Sequence, residues 1–131
     1  MPFSLPILVV DDTEICRIST ALLLDQLGFQ SELAQNGFEA LNKLKSAQYA
    51  AVIMDYDMQG MTGADCTKEI RRLEKSTRPR LPIIGMTSHT SYSVKKKCLD
   101  SGMDFVLPKD CHSQDLFDII HPLIFARSEV S

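Results

Sequence analysis

The sequence predicts an α/β domain, doubly wound around a five-stranded parallel sheet, and three observations predict it. Five short apolar runs alternate with five longer amphipathic segments over 131 residues. Alternation of strand and helix implies parallel strands, because each crossover helix returns the chain to the same edge direction. The leading apolar runs are continuous, as strands buried on both faces require. No repeat, low-complexity tract or linker rich in Pro, Gly or Ser interrupts the pattern, so residues 1–131 read as one domain.

Pro6-Ile7-Leu8-Val9-Val10 is the first strand. Asp11-Asp12-Thr13 follows and can cap a helix. In that helix Ile15, Ile18, Leu22 and Leu23 recur at helical spacing as far as Leu27, and Gly28 is the stop signal. Residues 30–34 form a shorter strand. Asn36 then reads as an N-cap with Glu39 at N3, a variant of the capping box. It opens a helix whose apolar stripe is Ala40, Leu41 and Leu44. Residues 50–54 are the next buried strand, which ends on Asp55. After a polar, glycine-bearing loop, residues 64–74 are helical with Ile70 and Leu73 facing in. Arg78-Pro79-Arg80-Leu81-Pro82 is a loop. Ile83-Ile84-Gly85-Met86 is a strand ending at Thr87, and residues 92–99 form a lysine-rich helix closed by Gly102. Phe105-Val106-Leu107 is the last strand. Leu116, Phe117, Ile119, Ile120 and Leu123 mark a last, strongly apolar helix.

Composition narrows the function classes. Hydrophobic residues make up 44% and charged residues 24%, enough to bury a core without disulfides or a structural metal. A net charge of -3 argues against a domain-wide nucleic-acid footprint, which needs a basic excess. Cys16, Cys66, Cys98 and Cys111 show no C-x-x-C spacing. Zinc-ribbon and thioredoxin-type readings fall away, and reduced thiols are expected. His89, His112 and His121 also lack a ligand spacing and read as surface or helix-end residues. Lys95-Lys96-Lys97 reads as a solvated helix face. No stretch approaches the roughly 20 apolar residues of a membrane span, and the first residues lack the basic start of a signal peptide. The expectation is a cytoplasmic protein with no membrane insertion and no nucleic-acid partner.

In open α/β sheets ligands bind outside the carboxyl ends of the strands. The first strand delivers Asp11 and Asp12 there, the third Asp55, the fourth Thr87 and the fifth Lys109. Singly, each has an ordinary explanation: Asp12 or Thr87 as a helix cap, Asp55 as a turn acid, Lys109 as a solvated cation. Together they carry chemistry. Three clustered carboxylates repel one another and need a cation or a raised pKa. An all-oxygen acidic site on short loops suits Mg²⁺. A metal-bound carboxylate beside a lysine and a hydroxyl makes a phosphate pocket, in which Asp55 is a nucleophile that forms an acyl phosphate. Positioning and electrostatics do most of the work of phosphoryl transfer, so a small site suffices.

The segments Leu8-Val9-Val10-Asp11-Asp12, Val52-Ile53-Met54-Asp55, Met58 with Met61 and Gly63, Met86-Thr87, and Gly102-Met103-Asp104 through Lys109 resemble, in order and spacing, the receiver domain of two-component response regulators. The Gly-Met-Asp stretch and Ile70-Arg71-Arg72-Leu73-Glu74 look most like receivers attached to hybrid sensor kinases. The resemblance implies the flavodoxin-like strand order 2-1-3-4-5. It implies that Asp55 is the phosphoacceptor and that Asp12 binds Mg²⁺ directly, with Asp11 acting through water. It also implies that the backbone carbonyl of Asp57 completes the metal site. Thr87 and Lys109 match the switch hydroxyl and the phosphate-binding lysine. The implied role is a signalling domain rather than an enzyme, catalysing only its own phosphorylation and slow autodephosphorylation. Its partners would be a histidine kinase or histidine phosphotransfer protein and a downstream protein target.

Four positions depart from that pattern. Gln59 stands where a proline is common, which predicts a more flexible loop. Val106 occupies the place of the aromatic that swings inward on phosphorylation, with Phe105 one residue earlier. Asp110 replaces the proline after the lysine, so a cis bond there would cost about 2.5–4 kcal/mol. Pro122 lies inside the last helix at about 3 kcal/mol, which predicts a kink or an early helix end. Two rival readings use the same residues. Met54-Asp55-Tyr56-Asp57 contains the Asp-x-Asp of haloacid-dehalogenase-type phosphohydrolases, with Asp57 as general acid, but leaves Asp11-Asp12 unexplained. A phosphorylation-independent pseudo-receiver explains Val106 and Asp110, but not the complete acidic and Lys-Thr set.

Overall fold

The computed structural model describes residues 5–74, 80–89 and 91–130. Arg78 and Pro79 of the expected loop lie outside these. The elements in chain order are β1 (Ile7–Val10), α1 (Glu14–Gln26), β2 (Ser31–Ala34), α2 (Gly37–Ser46) and β3 (Ala51–Asp55). Then come α3 (Gly63–Glu74), β4 (Ile83–Thr87), α4 (Tyr92–Ser101), β5 (Phe105–Pro108) and α5 (Ser113–Val130). All strands are parallel, in the order β2-β1-β3-β4-β5. This is the doubly wound sheet and the strand order that the sequence predicts.

The continuous apolar runs work as expected, because successive side chains enter opposite faces. Leu8, Val10, Val52 and Met54 join Ala40, Cys66, Ile70 and Met103 in one core. Ile7, Val9, Ala51 and Ile53 join Leu24, Leu116 and Ile120 in the other. Each fully buried aliphatic side chain is worth about 1.5–3 kcal/mol. Register matters most for function. Val10 lies opposite Met54, Asp55 opposite Met86, and Thr87 opposite Pro108. The residues leaving each strand therefore arrive at one rim.

The capping reading of α2 holds: the Asn36 Oδ1 accepts the Glu39 N–H at 2.8 Å. The Glu39 carboxylate reaches back to the Gln35 N–H at 2.6 Å, one residue earlier than in the usual box. Two apolar stripes behave otherwise. On α1, Ile15, Ile18 and Leu22 are exposed, and the buried residue is Leu24 with Leu23 packed beside it. On α3 the buried stripe runs through Gly63, Thr67 and Ile70, so its next position is Glu74 and Leu73 is exposed. The predicted early end of α5 does not occur, since the helix runs on through Pro122 to Val130. Pro122 sits on the exposed face, where a bend away from the core is tolerated.

Arg71 explains the two segments that look like hybrid-kinase receivers. Its Nε donates to the Gly102 carbonyl at 2.9 Å, its Nη2 to Asp104 Oδ2 at 2.9 Å, and its Nη1 to the Glu74 carboxylate and the Leu81 carbonyl. Asp104 and Glu74 in turn accept the N–H groups of Ile83 and Leu81. Gly102 caps α4 with φ 116°, in the left-handed region, and a Cβ there would lie 2.7 Å from the Arg71 side chain. The network fastens the end of α3, the start of β4 and the α4–β5 turn, at the rim away from the acidic cluster.

Candidate functional site

Asp55 is the last residue of β3 and only 2% exposed. The Tyr56 N–H donates to the Met86 carbonyl, which carries the β3–β4 pairing one step beyond it. The chain then folds back so that the Gly63 N–H meets the Tyr56 carbonyl at 2.9 Å. A Cβ on Gly63 would overlap the Asp55 carbonyl oxygen. Only glycine lets α3 begin this close to the strand end, and this accounts for the glycine in the Met58, Met61 and Gly63 pattern.

Lys109 follows β5, its N–H fixed by the Thr87 carbonyl at 2.9 Å. Its ammonium reaches Asp55 Oδ1 at 2.9 Å and Asp11 Oδ2 at 3.8 Å. Asp11 is buried, and its other oxygen accepts the Thr13 N–H at 2.9 Å. Asp12 is exposed at the start of the next loop and accepts the Gln59 N–H at 3.0 Å. A proline at 59 would have no N–H to give. The loop expected to be looser for want of that proline is therefore tied to Asp12.

One carboxylate oxygen from each of Asp11, Asp12 and Asp55 lies within 4.8 Å of the others. Asp55 Oδ2 is buried without a hydrogen-bond partner. Burial pushes the Asp55 pKa up to about 6, with Asp11 adding to it, despite the Lys109 ammonium alongside. For Lys109, burial works against the charge, but Asp55 and Asp11 outweigh it and the pKa is raised. Three carboxylate donors, one of them the residue with an orphaned oxygen, fit a divalent cation such as Mg²⁺.

Thr87 is 3% exposed, and its Oγ1 accepts the His89 N–H at 2.9 Å. The Asp57 N–H donates to Asp55 Oδ1 at 3.3 Å. The Asp57 carboxylate stands apart from the acidic triad, with His89 Nε2 at 3.1 Å and the Ser88 hydroxyl donating to it at 3.4 Å. His89 is exposed, as its spacing indicates, and its ring reaches the Asp57 carboxylate. Cys16, unassigned from the sequence, lines a cavity of about 150 Å³ with Asp11, Asp55 and Lys109. The other three cysteines and the lysine run stand outside the cluster.

The sequence profile of the response regulator receiver domain matches residues 7–121. Over 103 residues the chain is 41% identical to the sensor histidine kinase RcsC of Escherichia coli (strain K12), which covers 79% of this chain and 10% of that protein. It is 32% identical over 115 residues to the sensor histidine kinase GacS of Pseudomonas protegens, covering 87% of this chain and 12% of that one. The chain thus spans about a tenth of the length of these curated relatives. Among solved structures, it is similar to the receiver domain of the sensor histidine kinase PA1611 from Pseudomonas aeruginosa PAO1, which has a magnesium ion in its active-site cleft. The TM-score is 0.83 at 28% identity, covering 93% of this chain and 98% of that one. The Vibrio cholerae chemotaxis protein CheY4 gives a TM-score of 0.82 at 27% identity, covering 92% and 99%.

Proposed function

The chain belongs to the response regulator receiver domain family of two-component signalling, and we propose that Asp55 is its phosphoacceptor. One observation carries this: the buried Asp55 carboxylate has Lys109 on one oxygen and no partner on the other. Near neutral pH it is ionised, since its pKa is raised only to about 6. The unpartnered oxygen attacks phosphorus in the donor's phosphohistidine; the new P–O bond forms as the P–N bond breaks and the imidazole leaves. Asp12 and Asp55, the Asp57 carbonyl, and Asp11 through water would hold Mg²⁺. When bound, the ion would neutralise charge on the phosphoryl oxygens. Lys109 balances the charge of the acceptor before transfer and of the phosphoryl group after it. Thr87 offers a hydroxyl proton to a phosphoryl oxygen, since accepting the His89 N–H leaves that proton free to donate.

The domain signals rather than turning over a substrate; on this reading it catalyses only its own phosphorylation and slow dephosphorylation. The phosphohydrolase alternative needs Asp57 as a general acid, yet that carboxylate is turned to His89 and Ser88. Residues 1–131 act as one receiver that takes its phosphoryl group from a histidine kinase or histidine phosphotransfer protein and passes the signal to a protein target. No helix among the described residues is long and apolar enough to cross a membrane, and we assign the domain to the cytoplasm. The test is intact-mass spectrometry after incubation with a small acyl-phosphate donor and Mg²⁺. One hydroxylamine-sensitive phosphoryl adduct is expected, absent from Asp55→Asn. Undiminished adduct in that variant would refute the assignment.

A further inference from the structure

The cavity of about 150 Å³ beside the acidic site lies between α1 and the carboxyl ends of β1 and β3. Val9, Ile53 and Met86 give it apolar surface, and Asp11, Asp55 and Lys109 give it charge. Its existence follows from the sequence of α1. Cys16, Thr20 and Leu24 follow one another at i, i+4 and i+8 and share a face of the helix. Leu24 fills its place in the core, whereas Cys16 and Thr20 are small, half-buried and line the space beside the strand ends. Two observations mark this space as a site. The Asp55 side chain lines it at 2% exposure, with Oδ2 unpartnered, and two carboxylates there meet one ammonium. Cys16 brings a half-exposed thiol to the same space. Cys66 and Cys98 are buried, and burial pushes both thiols up, Cys66 to about 12; buried thiols of this kind are inert. Cys111 is half-buried, and its thiol is also pushed up, by burial and then by Asp115 and Asp110.

We propose that Cys16 is a modification site for small cationic aminothiol disulfides, and that the mixed disulfide closes the cavity beside Asp55. The Cys16 thiolate Sγ attacks one sulfur of the small disulfide. The new S–S bond forms as the reagent's own S–S bond breaks, and the second aminothiol leaves as a thiolate and takes up a proton. Cys16 is oxidised and the small disulfide is reduced. The attached aminoethyl arm is smaller than a benzene ring, which a cavity on the order of 150 Å³ accommodates. Its ammonium is a charge-assisted donor matched to the unpartnered Asp55 Oδ2. An anionic arm would instead meet the excess of carboxylates. The consequence for signalling rests on the reading of Asp55 as phosphoacceptor: the arm takes the oxygen from which the P–O bond forms. Excess thiol reverses the exchange. In a reducing cytosol Cys16 is free, and the adduct forms when small disulfides accumulate.

The experiment uses the full chain with Cys111→Ser, which removes the other half-exposed thiol. It is incubated at about pH 8, where a thiol is partly ionised, with cystamine or with the neutral bis(2-hydroxyethyl) disulfide. Adducts are located by intact-mass and peptide mass spectrometry. The same two reagents on a free cysteine derivative correct for their intrinsic reactivities. One adduct is expected, on Cys16. After correction, cystamine should react several-fold faster there than the neutral disulfide. The cystamine adduct should lose nearly all of the phosphoryl label taken from a small acyl-phosphate donor with Mg²⁺, and dithiothreitol should restore it. Cys16→Ser should label equally with and without cystamine. Four results would each overturn the proposal: a Cys16 that reacts only after unfolding, no corrected preference for cystamine, an adduct that labels as well as the free thiol, or loss of label on cystamine treatment of Cys16→Ser. Untreated protein that takes no label defeats the phosphoacceptor reading instead, and the adduct and its charge preference still decide the Cys16 site.

Discussion

Removing the charge of Asp55 should stabilise the metal-free protein, and by an amount that depends on pH in a defined window. Burial is the main cause of the shift from 3.8 to about 6. The native carboxyl therefore keeps its proton up to about pH 6, while the unfolded one loses it near 3.8. Between those values the native state binds more protons than the unfolded state, so stability falls as pH rises. Two units at 1.36 kcal/mol each amount to ~3 kcal/mol lost by pH 7. Asn has nearly the same shape and no charge to bury. The stability of Asp55→Asn minus that of the wild type should thus grow from pH 4 to pH 6 and level off by pH 7, with a total rise on the order of 2–3 kcal/mol. The ion pair with Lys109 forms only as Asp55 ionises, and its favourable effect is already contained in the shift to about 6. The assay is urea unfolding of both proteins in chelator at several pH values. Mg²⁺ should then stabilise the wild type far more than the variant. A difference that stays flat from pH 4 to pH 7 would show that burial does not govern this carboxyl.

Three further outcomes follow from the structure. Arg71→Ala leaves Glu74 without its cation, Asp104 with only Arg80, and the Leu81 carbonyl without its donor, in a network whose core side chains are 14–22% exposed. It should cost about 2–4 kcal/mol by denaturant midpoint, and a loss below about 1 kcal/mol would reduce the network to surface pairing. Asp12→Ala removes one of the two carboxylates expected to touch Mg²⁺ and should weaken it about tenfold or more in calorimetry; unchanged affinity would move the ion elsewhere. Beryllofluoride with Mg²⁺ should alter amide exchange at Thr87, Ser88, His89 and the first turn of α4, with little change at Val106. A rearrangement centred on Val106 with the Thr87 loop static would contradict this.

Much of the site was legible because strand ends are legible. A run such as Ile7–Val10 or Ala51–Asp55 announces both its buried strand and the residue that leaves it, and the parallel order then brings those residues to one rim. Helix orientation was harder. Ile15, Ile18 and Leu22 share a face at helical spacing, but periodicity alone does not say whether that face meets the sheet, and here Leu24 does instead. Leu73 failed for a related reason: the buried stripe of α3 continues to Glu74, whose carboxylate Arg71 engages. Contacts between loops left no local pattern at all. Neither the Asp57–His89 pair nor the bond from Gln59 to Asp12 follows from any spacing, because each joins residues that only the folded sheet brings together.

Those two contacts change how the site responds to a ligand. The loop after β3 is held on one side through Gln59 to Asp12 and on the other through Asp57 to Ser88 and His89. It therefore connects the expected metal ligand to the loop that carries Thr87. A hydrogen bond to a charged group contributes roughly 1.5–3 kcal/mol when buried and less when exposed, as here. A ligand that draws Asp12 inward must release the Gln59 N–H or carry the loop with it. A phosphoryl group that draws Thr87 inward pulls on the hydroxyl that accepts the His89 N–H, and His89 in turn holds Asp57. Each event at Asp55 is thus opposed by one modest bond on each side. Neither bond is strong enough to block the change, and each is strong enough to bias which of two loop arrangements is populated.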